Sequence, residues 1–200
     1  GWSARACPGE LDESPIVGES AVGLAERLAL AKATRAAAGA EPGEIVLAAD
    51  TVVVDEGRIL GKPAGPGEAR AMLQALRGHE HLVVTALATI DPNSGDHAVE
   101  VCETRVPMRD YSEREIEDYV ASGAAADKAG AYGIQDRGFE PVAVDQMRGC
   151  YANVMGLPLC HLVRAMRRLG HKPPADVPAA CRTHTRYPCM VYDSILGAES

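Results

Sequence analysis

The stretch EIVLAADTVVVDEGRILGKP, residues 44–63, decides the architecture. Glu44 to Ala49 is an apolar run long enough for a strand, and Val52 to Val54 continues it past the two polar residues Asp50 and Thr51. Asp55-Glu56-Gly57 is a turn signal, and Arg58 to Leu60 reads as the short return strand of a hairpin. Asp50 interrupts an apolar strand, where an unpaired charge is costly, so its carboxylate needs a metal, a cation or hydrogen-bond donors. The turn folds Lys62 back alongside the strand that carries Asp50. Such a carboxylate and ammonium either serve a metal–phosphate complex or form a structural ion pair. The spacing from Gly57 to Gly61-Lys62 is not a P-loop: it is one residue short, and Pro63 stands where a Ser or Thr would bind Mg²⁺.

Outward from the hairpin, helices alternate with strands. Ser20 to Ala38 predicts a helix with Leu24, Leu28 and Ala31 on one stripe, and Glu68 to Leu76 predicts another. His81 to Ile90 and His97 to Val106 read as strands joined across Asp91-Pro92-Asn93-Ser94-Gly95. Ser112 with Glu115 forms a capping box that opens a helix carrying Ile116, Tyr119 and Val120. Phe139 to Val144 predicts a further strand, and Pro158 opens a last helix ending at Gly170. From His171 onward prolines recur and periodicity is lost, so residues 171–200 are expected to be a disordered tail behind one domain over residues 1–170.

Two hundred residues, 46% apolar, suffice for one domain with a packed core. A net charge of −8 argues against sequence-independent nucleic-acid binding, which depends on Lys and Arg at phosphates, but allows a local pocket for a small anion. The six cysteines include no C-x-x-C pair, which points to reduced thiols in a cytoplasmic protein rather than a zinc ribbon. No apolar run approaches the ~20 residues that cross a bilayer, and the first residues show no signal-peptide pattern. His79 and His81 are too close together for a zinc helix.

Two further segments carry chemistry. In Asp127-Lys128-Ala129-Gly130-Ala131-Tyr132-Gly133-Ile134-Gln135, the glycines let backbone approach a ligand, Lys128 can meet a phosphate, and Gln135 offers the donors and acceptor that read a pyrimidine edge. Taken alone, such a segment is more often a flexible surface loop. The third segment is Asp12-Glu13-Ser14-Pro15, followed on the first helix by Lys32.

Taken in order, these segments, with Ile59-Leu60-Gly61-Lys62-Pro63 and Asn153-Val154-Met155-Gly156-Leu157-Pro158-Leu159, resemble the Maf family of nucleoside triphosphate pyrophosphatases over about residues 11 to 169. The resemblance implies an α/β fold, a mixed twisted sheet with flanking helices and two lobes around a cleft. It also implies, often, a homodimer, and Mg²⁺- or Mn²⁺-dependent hydrolysis of a nucleoside triphosphate to the monophosphate and pyrophosphate. Ala49-Asp50-Thr51 with Tyr132-Gly133-Ile134-Gln135 is similar to the branch acting on dTTP and UTP. Modified pyrimidine nucleotides and a link to septum formation follow from the same likeness.

On this reading Asp50 activates water, directly or through a metal, Lys32 and Lys62 meet phosphate charge, and Glu13 with Asp50 holds the divalent ion. Thr51, Gln135 and Lys128 contact the substrate. The family's phosphate-gripping Ser-x-Ser-Pro-Arg-Arg string is absent, and the chain opens on Gly1 rather than Met. The expectation is an N-terminally truncated sequence, or a protein lacking its main phosphate clamp, with weak activity as it stands. The alternative is a catalytically impaired nucleotide-binding protein linked to cell division.

Overall fold

The structure, a computed structural model, describes residues 2–9 and 11–197. The quoted stretch forms strand β1 (Val46–Asp55) and strand β2 (Arg58–Leu60). Glu56 and Gly57 both take positive φ, 46° and 81°, so the connection is the two-residue turn whose twist suits a tight hairpin. Strands β3 (Glu80–Ile90) and β4 (His97–Pro107) complete a sheet of order β2-β1-β3-β4. Every pairing in it is antiparallel, where a mixed sheet was expected. Each partner strand here returns through a turn or across a helix to run against its neighbour, and no parallel crossover occurs within the sheet.

The helices are α1 (Ala21–Ala37), α2 (Pro66–Leu76), α3 (Glu113–Ala121), α4 (Tyr151–Val154), α5 (Leu159–Arg168), α6 (Val177–Thr185) and α7 (Tyr192–Leu196), with a 3₁₀ turn at Ala129–Ala131. Ser20 caps α1 by accepting from the Gly23 amide at 3.1 Å, and the Ser112–Glu115 capping box forms as expected.

Strand alternation divides the core. Val46, Ala48, Val52 and Val54 of β1, with Val84, Ala86 and Ala88 of β3, pack against Leu24, Ala25, Leu28 and Ala29 of α1. The opposite face carries Val53, Val83 and Val106 against Leu73 and Leu76 of α2 and Ile116 of α3, and Leu87 against Leu162 and Met166 of α5. Among the described helices, α1 is the one whose buried residues pack on this face, together with Leu11 of the preceding segment. No helix among the described residues is long and apolar enough to cross a membrane.

Two local expectations change. The segment from Phe139 to Val144 makes a single bridge, Met108 to Val142, instead of a strand. Pro141 has no amide to give a ladder, and it sits in the middle of the run. The expected structureless tail contains α6 and α7. Asp176 caps α6 by accepting from the Ala179 amide at 3.0 Å, Pro178 stands in the first turn, and Tyr187 is buried with its hydroxyl donating to the Met147 carbonyl at 2.9 Å.

Candidate active site

Asp50 lies mid-strand on the face of β1 that α1 covers, and its side chain is only 10% exposed. Lys32 reaches it from α1: the ammonium donates to Asp50 Oδ1 at 2.6 Å and contacts Glu13 Oε1 at 2.6 Å. Glu13 belongs to an extended segment held onto α1 by Arg27. That guanidinium pairs with Glu19 at 2.7 and 2.8 Å and donates to the Ser14 carbonyl at 3.1 Å. Three residues far apart in sequence thus converge as a carboxylate–ammonium–carboxylate row.

Burial pushes the Asp50 carboxyl above the usual aspartate range, although the Lys32 hydrogen bond pulls the other way. The hydrogen bond from Lys32 holds the more exposed Glu13 below its ordinary value. Burial works against the Lys32 ammonium, but the bonds to Asp50 and Glu13 outweigh it and keep the amine charged. The site therefore contains a carboxylate whose basicity is enhanced beside a fixed cation.

Lys62 follows β2 on an exposed loop, and its charge is felt by Glu13, Asp50 and Asp127. The Gly130 amide donates to the Gly61 carbonyl at 3.1 Å, which ties the 3₁₀ turn to that loop. Gly130 has φ of 69°, and a Cβ there would stand 3.1 Å from Val53 Cγ1, so both the conformation and the close approach require glycine. Next to this turn, Lys128 donates to the Ala124 carbonyl at 2.6 Å and lies 3.2 Å from Asp127 and 3.3 Å from Asp136. Asp136 in turn accepts from the Tyr119 hydroxyl at 2.5 Å. Asp136 was not among the residues singled out from the sequence. Its position beside Gln135 was the available signal, whereas its partners are remote in sequence. Gln135 itself is exposed.

Thr51 does not share the Asp50 face. Successive strand residues point oppositely, and Thr51 Oγ1 lies 2.9 Å from Thr85 Oγ1 on the other side of the sheet. Thr85 donates to the Asn153 carbonyl at 3.2 Å, so the Thr51 hydroxyl is the donor to Thr85. Asn153 is fully buried and donates to the Val83 carbonyl at 3.1 Å and Thr104 Oγ1 at 3.0 Å. Gly156 also presses on Thr51: a Cβ there would be 3.3 Å from its hydroxyl. Thr51 is thus a member of a buttress behind the sheet. Asp50, Lys32, Glu13 and Lys62 are grouped in front of it, with Lys128 reached through Asp127.

Among the described residues, no group of three or more His, Cys, Asp and Glu is arranged to hold a metal by protein ligands alone. The two carboxylates around Lys32 nevertheless suit a hard divalent ion that takes most of its ligands from phosphate and water, because such an ion uses one or two protein carboxylates.

A family model described as Maf-like protein matches residues 1–169. A relative from Dehalococcoides mccartyi, named dTTP/UTP pyrophosphatase, is 42% identical over 173 residues, covering 86% of this chain and 76% of its own length. Relatives with the same name from Citrifermentans bemidjiense and Syntrophomonas wolfei are 42% and 44% identical over 170 residues, each covering 85% of this chain.

Proposed function

Because the chain belongs to the Maf family, we propose that it is a nucleoside triphosphate pyrophosphatase, a hydrolase that cleaves dTTP and UTP between the α- and β-phosphates to give the monophosphate and pyrophosphate. The observation that carries the reading is Lys32, held between Asp50 and Glu13 with Lys62 at their side.

Hydrolysis needs a base for water and positive charge for the phosphates. Lys32 engages both carboxylates before substrate arrives. Phosphate oxygens offer its ammonium new acceptors, which leaves Asp50 to take a proton from the attacking water. The water oxygen then bonds to the α-phosphorus, the bond to the bridging oxygen breaks, and that oxygen leaves with pyrophosphate. Lys62 and Lys128 supply charge to the anionic chain, and the elevated basicity of Asp50 favours the proton transfer. A divalent cation, Mg²⁺ or Mn²⁺, held by Glu13 and Asp50 would add charge neutralisation at the phosphates. Gln135 is assigned to the pyrimidine edge on the strength of its amide and its exposed place beside Lys128 and Asp136. We assign the activity to one domain over residues 1–170, to a cytoplasmic enzyme and to a homodimer, which sedimentation would test.

The test is pyrophosphate release from dTTP and UTP with Mg²⁺ or Mn²⁺, comparing the parent chain with Asp50→Asn. Loss of a general base lowers kcat by about 10²–10⁴-fold while nucleotide binding persists. Equal turnover by the two proteins would refute the role of Asp50. Nucleotide binding with no turnover by either would favour the binding-protein alternative.

A further inference from the structure

Five of the six cysteines gather on the far side of the sheet from Asp50, leaving Cys7 exposed by itself. Cys150, Cys160, Cys181 and Cys189 line one apolar pocket between α4, α5 and α6, and Cys102 joins Cys150 at a second opening together with Glu103, Arg148 and His161. Within this group Cys102 of β4 and Cys150, the residue that caps α4, are both buried and pack in one cluster with Ala152.

The backbone holds the pair in place. Thr104, two residues along β4 from Cys102 and on the same face, accepts from the Cys150 amide at 3.2 Å and donates to the Cys150 carbonyl at 3.4 Å. Gly149 permits that approach, since a Cβ there would lie 2.5 Å from Thr104 Cγ2. The two thiols also differ in character. The neighbouring Cys102 and the nearby Asn153 and Ala152 amides lower the Cys150 thiol, against burial, whereas the neighbouring Cys150 and burial push Cys102 upward. Cys150 is thus the more readily ionised of the two thiols; it lines the second opening, with Cys102 packed beside it.

We propose that Cys102 and Cys150 are a peroxide-sensitive dithiol that closes to an intramolecular disulfide between β4 and the start of α4. The Cys150 thiolate attacks one oxygen of hydrogen peroxide, the O–O bond breaks, and hydroxide leaves, giving a sulfenic acid at Cys150. The hydroxide takes the Cys102 proton as water. The resulting Cys102 thiolate attacks Cys150 Sγ, the S–O bond breaks and a second hydroxide departs. Two sulfurs are oxidised as one peroxide is reduced. The pair is separate from the phosphate-binding row, and its test requires no turnover.

The full chain carrying Cys7→Ser is treated with hydrogen peroxide, alkylated and analysed by intact mass and peptide mapping. The expected product is lighter by two hydrogens, has two fewer alkylatable thiols, and carries a link between the peptides of Cys102 and Cys150 that dithiothreitol reverses. Cys102→Ser should stop at a sulfenic acid on Cys150 that dimedone captures, and Cys150→Ser should abolish the link. Cys181→Ser should leave it intact. Should a serine variant fail to fold, as judged by circular dichroism, the map of the Cys7→Ser protein decides alone. A link from Cys150 to Cys160, Cys181 or Cys189, a gain of oxygen without loss of paired thiols, or no reaction with peroxide would overturn the proposal.

Discussion

Replacing Lys32 by Met removes the one ammonium that the structure places against both Asp50 and Glu13, at 2.6 Å from each. Glu13 is 46% exposed, so water screens its pair and the contact adds little to stability. Asp50 is the costly partner, with a side chain only 10% exposed. Losing a charged hydrogen bond costs about 1.5–3 kcal/mol, and fully buried pairs cost about 3–5 kcal/mol when one member goes. Lys32 retains some access to solvent, so the expected loss is about 2–3 kcal/mol at neutral pH.

The loss should depend on pH in a definite sense. Lys32 is raised in the fold, so its own contribution persists up to the ordinary lysine range and is constant below it. Asp50 is raised too, which means that its ionisation opposes folding, and removing Lys32 raises it further. Glu13 is lowered by Lys32, so its contribution is present above the ordinary glutamate range and fades as pH falls. Both acids therefore make the gap between parent and variant widest near neutrality and narrow as they protonate, toward about pH 4. Urea unfolding of the two proteins between about pH 4 and pH 7.5 measures it. Asp50→Asn in the Lys32→Met background should recover most of the loss, because no buried charge is then left unpaired. A gap under about 0.5 kcal/mol, or one that does not vary with pH, would refute the argument.

Other expectations follow from single features. Gly130→Ala forces a side chain into the left-handed region against Val53 and should cost about 2 kcal/mol in urea unfolding; an unchanged midpoint would contradict the close approach at 3.1 Å. Tyr187→Ala removes a buried ring and its bond to the Met147 carbonyl. It should cost about 3 kcal/mol and open the chain after α5 to limited proteolysis, while unaltered resistance would mean that α6 and α7 do not depend on this anchor. Burial drives His81 down to about 4, so its imidazole should titrate there by NMR. A group lowered in the fold supports stability above its ordinary value and withdraws it as pH falls from about 6.5 toward 4. A midpoint near the ordinary histidine value would be the contrary result.

The hairpin at residues 46–60 was legible because a turn residue pair separates two apolar runs, and the capping box was legible because both its partners are local. The row of Glu13, Lys32 and Asp50 was nameable as a set of candidates. Its contact was not, since it depends on how α1 docks on the sheet. The separation of Asp50 from Thr51 could have been read from strand alternation. It was hidden because β1 is covered on both faces, so its apolar residues show no polar counterpart to mark the sides. The strand expected at Phe139 rested on apolar content and underweighted Pro141. The segment after Gly170 was underread for the opposite reason: its helices are short, and Asp176 and Pro178 are start signals that the surrounding prolines obscured.

The placement of Asp50 and Thr51 on opposite faces makes β1 a partition whose two sides are assigned by parity. Asp50 pairs across from Ala86 and Thr51 across from Thr85. Deleting one residue upstream of Asp50 while keeping the same hydrogen-bond ladder would exchange the two sides. A carboxylate would then stand across from Leu87, in the apolar space packed by Leu162 and Met166, and a hydroxyl would face Lys32. Length changes in this strand are thus errors of address as well as of packing, and compensation has to come in steps of two residues. The dipeptide inherits its chemistry from a count.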